Sequence, residues 1–360
     1  MAKNKLLTFI GKLSAVVLSA GLLIVVLNRF YVNGYYYRDV YSEIDKMYDV
    51  PYDIQMVNLG TSHGLASFQY PEDGVTRYNL ALSGEDIYHD FATLKQFADH
   101  LAPGCIVALP TSYFSFCMST EEPSQKRYYA YLDREYLRGF SYETLINAKY
   151  LPVLRSGEFI IKDLIKDQEL DVGAAMMDED MEAPESDVEA LSSDAFAESA
   201  VPVASSDTAA LNDLAQDYAL TDQEKLKKNA ELVSHAAGRV ESWRSGYMTA
   251  GRRYIAENTR ILTEMVQFCY ENGFRPLLVT TPIYKALNDK FSEEELRVCY
   301  FDPMREVAQK TGVPYLDLSH DAVLSATPDY YGNSDHMNRY GAAAFYEVYT
   351  VYLKTIGYLN

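Results

Sequence analysis

An uncharged apolar run near the N-terminus constrains this chain more than any other feature. No charged residue occurs from Leu13 to Leu27, and the run extends back across Leu6 to Gly11 or outward to Val32. About 20 apolar residues are enough for a helix to cross a bilayer. The sequence therefore predicts one transmembrane helix, with a cleaved signal peptide as the alternative.

The charges that flank this run predict its orientation. Lys3, Lys5 and Lys12 precede it, whereas Arg29 and Arg38 beyond it are balanced by acidic residues. Positively charged flanks stay preferentially in the cytoplasm. We therefore expect a protein of the cell membrane with three parts: a cytoplasmic tail of residues 1–5, a single-pass anchor of residues 6–32 and an extracellular domain of residues 33–360.

The formal charge of −19 is concentrated in one stretch of the chain. Between Asp167 and Glu224 there are 17 Asp or Glu and no Lys or Arg, so the rest of the chain carries about −2. A nearly neutral domain does not favour nucleic acid as a partner. The acidic stretch is rich in Ala and Ser and lacks a sustained apolar period, which predicts a disordered acidic insertion over residues 167–222.

The four cysteines argue against metal or disulfide scaffolds. They are far apart in the sequence, with no C-x-x-C pair and no Cys/His cluster, at Cys105, Cys117, Cys269 and Cys299. Structural zinc sites and small disulfide-rich domains have characteristic cysteine spacings that are missing here. We expect no metal site and no cofactor.

Short apolar runs alternate with helical patterns after the anchor. The runs predicted to be buried strands are Ile54 to Leu59, Tyr78 to Leu82, Cys105 to Leu109, Pro276 to Thr280 and Tyr315 to Leu318. The helices predicted between them are Asp86 to Leu101, Arg253 to Asn272 and Ser292 to Thr311. This alternation predicts an α/β fold, a parallel sheet with helices on both faces. In such folds ligands bind at the carboxyl ends of the strands.

Two polar motifs follow predicted strands. The first, Gly60-Thr61-Ser62-His63, comes directly after the first strand, where a tight turn into a helix would expose a serine hydroxyl group close to backbone N–H groups. The second, Asn333-Ser334-Asp335-His336, precedes the last helical stretch and offers an imidazole beside a carboxylate. Such a histidine can remove the proton of a serine nucleophile. An N-cap serine and a loop histidine are the structural alternatives.

Together these motifs resemble the SGNH (GDSL-like) hydrolase superfamily. The similar branch is membrane-anchored and includes the lipoteichoic acid D-alanylation protein DltD and partners of exopolysaccharide O-acetyltransferases. The resemblance covers residues 54–109 and 276–356 and implies a flavodoxin-like sheet. Ser62 stands at the family's nucleophile, His336 at its general base, and Asn79-Leu80-Ala81-Leu82-Ser83-Gly84 at its second block, where the Gly84 N–H would contribute to an oxyanion hole.

The sequence departs from the family pattern at two positions. The acid usually stands three residues before the histidine, where this chain has Asn333, so that Asp335 is the candidate acid. The alternative is that Asn333 holds the imidazole ring through a neutral hydrogen bond. The third block usually supplies an Asn, where this chain has Thr111 and Ser112; either hydroxyl group could donate to the oxyanion, cap a helix or form a turn. His63 could contact substrate or pack against the sheet.

The resemblance implies a membrane-anchored, outward-facing serine acyltransferase or esterase. Its substrate would be a cell-envelope glycan or a teichoic-acid-like polymer, and its partner a multi-spanning membrane acyltransferase. We expect acyl transfer rather than hydrolysis, because tethering favours an enzyme that modifies an exported or lipid-linked polymer. The alternative is a non-catalytic assembly or binding subunit that has kept the fold and lost the acid.

Overall fold

The computed structural model describes residues 2–33, 42–71, 73–119, 123–155 and 221–359. These residues form two compact units, one within residues 1–49 and 122–181 and the other within residues 50–121 and 182–360. The predicted acidic insertion, residues 167–222, lies outside the described residues except for its last two.

The first unit contains the N-terminal helix α1, Ala2–Asn33. Within it, Lys5–Asn33 is long and apolar enough to span a membrane, and most of the apolar side chains in this part of the helix are exposed. At 1.5 Å per residue the helix is about 48 Å long, which exceeds the thickness of a bilayer's hydrocarbon core. The other helical segments of this unit are Ser42–Tyr48, Pro123–Ala130, Arg134–Tyr136, Tyr142–Leu145, a π turn at Ile146–Tyr150 and Pro152–Arg155.

The second unit is built on a five-stranded parallel sheet. Its strands are β1 Ile54–Asn58, β2 Arg77–Asn79, β3 Leu101–Thr111, β4 Arg275–Thr280 and β5 Tyr315–Asp317. Their spatial order is β2-β1-β3-β4-β5, which is the flavodoxin-like order of doubly wound folds. All five strands predicted from the sequence are present, although β2 shares only its last two residues with the predicted run Tyr78 to Leu82. The central strands β1, β3 and β4 are largely buried, as continuous apolar runs in a parallel sheet predict, whereas the edge strands β2 and β5 are partly exposed.

Helices cover both faces of this sheet. They are α2 Ser62–Ser67, α3 Ile87–Gln96, α4 Asp222–Trp243, α5 Ile255–Glu271, α6 Asp302–Thr311 and α7 Arg339–Thr355. The chain moves from β1 to one edge of the sheet to form β2, and all later connections move towards the other edge. Because the crossovers are right-handed, α2 lies on one face of the sheet, and α3, α5 and α6 lie on the other. The packing agrees, since α7 contacts α2 whereas α5 contacts α3 and α6.

Two predicted helices differ from the structure in their bounds. The first ends at Gln96, and a short helix at Ala98–His100 leads into β3. The last is broken into Glu293–Leu296, a π turn at Arg297–Phe301 and α6. Pro303 lies at the start of α6 and has no N–H to donate, so a regular α-helix cannot pass through it. The predicted ends of α5 and α6 are present, with Gly273 and Gly312 at positive φ.

Short helical turns complete the second unit. They are Ser115–Cys117, a π turn at Arg244–Met248, Ala250–Tyr254, Lys285–Asn288 and Pro328–Tyr330. One core cluster lies between the sheet and α7, where Leu277 and Val279 of β4 join the buried side chains Phe345, Tyr349 and Leu353. This packing fixes the loop that precedes α7 against the carboxyl ends of the strands.

Candidate active site

A glycine turn between β1 and α2 places Ser62. Gly60 has a φ of 105°, and a Cβ atom there would lie 2.7 Å from the carbonyl oxygen of Pro110. Its N–H donates to Asp90 Oδ1 at 2.7 Å. Thr61 is the N-cap of α2, and its hydroxyl oxygen accepts from the His63 N–H at 3.3 Å. Ser62 is therefore the first helical residue and remains partly exposed.

The loop before α7 brings His336 to this serine. His336 Nε2 lies 2.8 Å from Ser62 Oγ, and the imidazole side chain is 22% exposed. Asn338 caps α7 by accepting from the N–H groups of Tyr340 and Gly341, which anchors the end of the loop. The structure thus brings together two residues that are 274 positions apart in the chain.

Asn333 holds the other side of the imidazole ring. Its Oδ1 lies 3.0 Å from His336 Nδ1 and also accepts from the backbone N–H groups of His336 at 2.9 Å and Asp335 at 3.2 Å. An oxygen that already accepts two N–H groups is an acceptor for Nδ1 as well. The network assigns the proton to Nδ1 and leaves the Nε2 lone pair facing the Ser62 hydroxyl group.

Asp335 is close to His336 but also contacts His63 and Arg239. Asp335 Oδ2 lies 3.5 Å from His336 Nδ1 and 3.3 Å from His63 Nε2, whereas Oδ1 accepts from Arg239 Nε at 3.0 Å. Asp335 is only 3% exposed. Burial alone would raise the pKa of this carboxyl group, but the hydrogen bond from His63 and the surrounding cationic groups hold that pKa well below its usual range. Asp335 is therefore an anion at neutral pH.

A second serine and histidine lie beneath the first pair. Ser112 Oγ is 2.7 Å from His63 Nδ1 and 3.1 Å from Thr61 Oγ1. If His63 Nε2 donates to Asp335, then His63 Nδ1 accepts from the Ser112 hydroxyl group. His63 and Ser112 are both buried, at 2% and 1% exposure. Of Ser62 and Ser112, only Ser62 is partly exposed and open to a substrate.

The environment of His336 sets its protonation. Burial, followed by the charge of His63, lowers the pKa of His336 from 6.5 to about 4, although Asp335 acts in the opposite direction. A histidine with this pKa is neutral at pH 7. A neutral imidazole beside a serine hydroxyl group is the form that can accept a proton.

The remaining predicted oxyanion residues lie in different places. Gly84 is exposed, with a φ of 63°, in a turn closed by the hydrogen bond from the Glu85 N–H to Leu82 O. The Leu82 N–H donates to Gly60 O, so this turn follows the segment that runs beside the Ser62 loop. The Thr111 hydroxyl group instead lies 2.7 Å from the hydroxyl group of Tyr300. The structure therefore engages Thr111 away from Ser62.

Helix α4 contributes residues that the sequence analysis did not single out. His235, Arg239 and Trp243 are spaced by four and share one face of this helix. His235 Nδ1 lies 2.8 Å from Ser334 Oγ, Arg239 pairs with Asp335, and the Trp243 ring lies 5.6 Å from that of His63. Their spacing of four residues along the helix that follows the Thr221 capping box was the available signal in the sequence.

One group of side chains has the composition of a metal site. His63, Asp335 and His336 each offer a ligand atom, and these atoms lie within 4.8 Å of one another. The Arg239 guanidinium already lies 3.0 Å from the carboxylate, and its positive charge opposes a metal cation there. The ring nitrogens also have hydrogen-bond partners, so the group is best described as a charged hydrogen-bond network around the Ser62 and His336 pair.

Comparison with known proteins gives few matches. No family model and no curated protein matches the chain. Among solved structures, a Bacteroides fragilis protein described as a "putative acylhydrolase" is 9% identical, with a TM-score of 0.36, over 87% of this chain and 94% of that chain. A protein described as a "putative platelet activating factor from Streptococcus pneumonia" is 9% identical, with a TM-score of 0.37, over 94% and 99%. Similarity this low carries no argument about the activity of this chain.

Proposed function

We propose that this protein is a serine acyl-ester enzyme in which Ser62 is the nucleophile and His336 the general base. The observation that carries the proposal is the 2.8 Å distance between Ser62 Oγ and His336 Nε2. The lowered pKa of His336 supports it, because the base must be neutral before it can take a proton. The partial exposure of Ser62 supports it as well, since a substrate has to reach the hydroxyl group.

The first half of the reaction forms an acyl-enzyme. Ser62 Oγ attacks the acyl carbonyl carbon while His336 Nε2 takes the hydroxyl proton, and the carbonyl electron pair moves onto the oxygen. The oxyanion faces the start of α2, where the Ser62 N–H and the Gly84 N–H are the proposed donors. Collapse of this intermediate expels the alcohol, which takes the proton from the imidazole and leaves the acyl group on Ser62.

The second half of the reaction regenerates the serine. Water or a sugar or polyol hydroxyl group attacks the acyl ester and gives its proton to His336, and the same proton then returns to Ser62 Oγ. Asn333 keeps the ring in the required tautomer, and the anionic Asp335 stabilises the imidazolium that forms in each half.

The acceptor we propose is a cell-envelope glycan or a teichoic-acid-like polymer. The apolar length of α1 supports a membrane anchor, and a tether raises the effective concentration of the enzyme near an exported or lipid-linked polymer. Transfer to that polymer is the proposed reaction, with hydrolysis as the competing outcome. A multi-spanning membrane acyltransferase is the proposed source of the acyl group, and the N-terminus is proposed to lie in the cytoplasm.

Labelling with a fluorophosphonate probe tests the nucleophile. The probe phosphonylates an activated serine, so the wild-type protein and Ser112→Ala should be labelled and Ser62→Ala should not. Labelling that persists in Ser62→Ala and disappears in Ser112→Ala would move the nucleophile to the buried pair. Circular dichroism of each variant establishes that it is folded.

A non-catalytic assembly or binding subunit is the second candidate. It is favoured by Asn333, because an amide stands where the resembling family has its acid and cannot stabilise an imidazolium as a carboxylate does. A histidine base operates between about pH 5 and 9. If folded wild-type protein remains unlabelled by the probe throughout this range, the binding subunit replaces the enzyme as the proposed function.

A further inference from the structure

An exposed apolar stripe lies in the first unit. Tyr142, Ile146 and Tyr150 are 66%, 44% and 61% exposed. They are spaced by four across the helix Tyr142–Leu145 and the π turn that continues it, so they share one face. Ala148 of the same segment is buried, which shows that the stripe faces away from the unit's own packing. Two tyrosines and an isoleucine on one exposed face are suited to an amphipathic environment.

A polar side chain of α1 fixes this segment at one height along the helix. Asn28 Nδ2 donates to the Tyr150 carbonyl oxygen at 3.4 Å, and Asn28 Oδ1 accepts from the Val153 N–H at 3.2 Å. Asn28 directly follows the uncharged run that ends at Leu27 and precedes Arg29. The segment is therefore attached where the apolar part of α1 ends.

The composition of residues 123–155 also suits a membrane interface. Residues 123–155 contain six Lys or Arg and three Asp or Glu, although the whole chain carries −19, and they also contain six tyrosines. The Arg134 guanidinium lies 5.7 Å from the ring centroid of Tyr142, so a cation accompanies the aromatic face. Tyrosine together with basic side chains is the composition found at the interface between hydrocarbon and headgroups, where anionic lipids attract positive charge.

We propose that residues 141–155 lie in the membrane interface, with the Tyr142, Ile146 and Tyr150 face in contact with lipid. The occupant of this face is the outer headgroup layer of the same bilayer that α1 crosses. The inference rests on the proposed anchor but not on the proposed chemistry. It gives the chain a second membrane contact beside the spanning helix, which restricts tilting of the first unit relative to the bilayer.

Quenching by brominated lipids tests this contact in the full chain. The protein has a single tryptophan, Trp243, which is 2% exposed and gives a constant background. Tyr150→Trp and Tyr142→Trp are measured in nanodiscs of phosphatidylcholine and phosphatidylglycerol, brominated either near the headgroup or near the chain end. Glu143→Trp is the matched control, because it is exposed in the same segment but points off the stripe. Leu18→Trp, 73% exposed in the middle of α1, is the control for the anchor.

The expected result is about twofold quenching of the tryptophans at positions 142 and 150 by lipids brominated near the headgroup, with a smaller effect of chain-end bromine. The tryptophan at position 143 should be quenched much less, and that at position 18 should respond most to chain-end bromine. Equal, weak quenching at 142, 143 and 150 with strong quenching at 18 would overturn the lipid contact and leave the anchor intact. An unquenched but blue-shifted tryptophan at 150 would mean that protein covers the face, which also overturns it. Absence of quenching at 18 would remove the anchor and this inference together, whereas fluorophosphonate labelling would be unaffected.

Discussion

His336 lies between an amide and a carboxylate that belong to the same short loop. Asn333 provides the closer oxygen, at 3.0 Å from Nδ1, and Asp335 provides the charge, at 3.5 Å. In a serine hydrolase triad one carboxylate both orients the histidine and stabilises its cation. Here these two tasks are divided between two residues, and the carboxylate is also shared with His63 and Arg239.

The pH dependence of the reaction should reflect the lowered pKa of His336. The base is active when it is neutral, so activity is present above its pKa and is lost as the pH falls through it. With that pKa near 4, the acid limb of kcat/KM should lie well below pH 6.5, the ordinary value for histidine. The rate of inactivation by a fluorophosphonate, measured against pH, gives the same limb without a natural substrate. A limb at or above pH 6.5 would contradict the assignment of His336 as a base in this environment.

Adding a negative charge at Asn333 and removing the negative charge of Asp335 should change the activity in opposite directions. Asn333→Asp keeps the acceptor oxygen and adds a negative charge 3.0 Å from Nδ1, so the pKa of His336 and the turnover should both rise. Asp335→Asn removes the negative charge and leaves Arg239 unbalanced, so turnover should fall by about 100-fold. The acid limb of the pH profile should move up in the first variant and down in the second.

The measurement is kcat and KM of both variants against an activated ester across pH. Folding of each is checked by near-UV circular dichroism, because Asp335 is buried. Wild-type turnover in Asp335→Asn, together with a large loss in Asn333→Ala, would show that the amide alone supports His336. The site would then be a serine and histidine dyad.

At the scale of elements, the turn from β1 to α2 that places Ser62 requires a glycine at position 60. A side chain at Gly60 would meet both an unfavourable φ of 105° and the Pro110 carbonyl oxygen at 2.7 Å. Gly84 has a positive φ of 63° too, but nothing lies within 4 Å of the position its Cβ would take. A comparison of Gly60 with Gly84 therefore separates the cost of backbone strain from the cost of a steric collision.

Gly60→Ala should therefore destabilise the fold far more than Gly84→Ala. Strain at a left-handed position costs about 1 kcal/mol, which is the expectation for Gly84→Ala. Strain plus a collision with backbone atoms should reduce the free energy of unfolding by about 3 kcal/mol or more in Gly60→Ala. Urea denaturation of both variants gives the two values. Equal losses would mean that Pro110 moves aside easily and that the turn is less tightly packed than its distances indicate.

The elements were more predictable from the sequence than the contacts of the site. Parallel strands appear in the sequence as continuous apolar runs, so all five strands were found. The Arg239 pair with Asp335 joins residues 96 positions apart and leaves no local pattern. Thr111 was a candidate for the site, yet Tyr300, 189 positions away, holds its hydroxyl group. The direction in which a side chain points depends on contacts with residues far away in the chain, and such contacts leave no pattern among neighbouring residues of the sequence.

On the scale of the whole molecule, the charge and apolar surface are strongly segregated. Among the described residues, the exposed apolar side chains are concentrated on α1. In the sequence, the acidic residues are concentrated between Asp167 and Glu224, and residues 123–155 contain a slight excess of basic residues. The second unit, residues 50–121 and 182–360, contains 18 Lys or Arg and 35 Asp or Glu, so its negative charge does not steer an anionic polymer towards Ser62. Under the proposed function, access to a polymer therefore depends on the proposed membrane anchor, so the topology of α1 has to be measured.

Protease treatment of intact cells should distinguish the three topologies open to this chain. Lys5 and Lys12 precede the uncharged run and favour a cytoplasmic N-terminus, so the protease should digest the chain beyond Val32 and leave a short membrane-bound stub that carries an N-terminal epitope. Permeabilised cells provide the control, because there the epitope should become accessible as well. Protection of the whole chain would place the catalytic unit inside the cell, where an extracellular polymer cannot reach Ser62. Release of a soluble protein without the stub would identify the apolar run as a signal peptide and remove the tether, and with it the reason to prefer transfer to a surface polymer over hydrolysis.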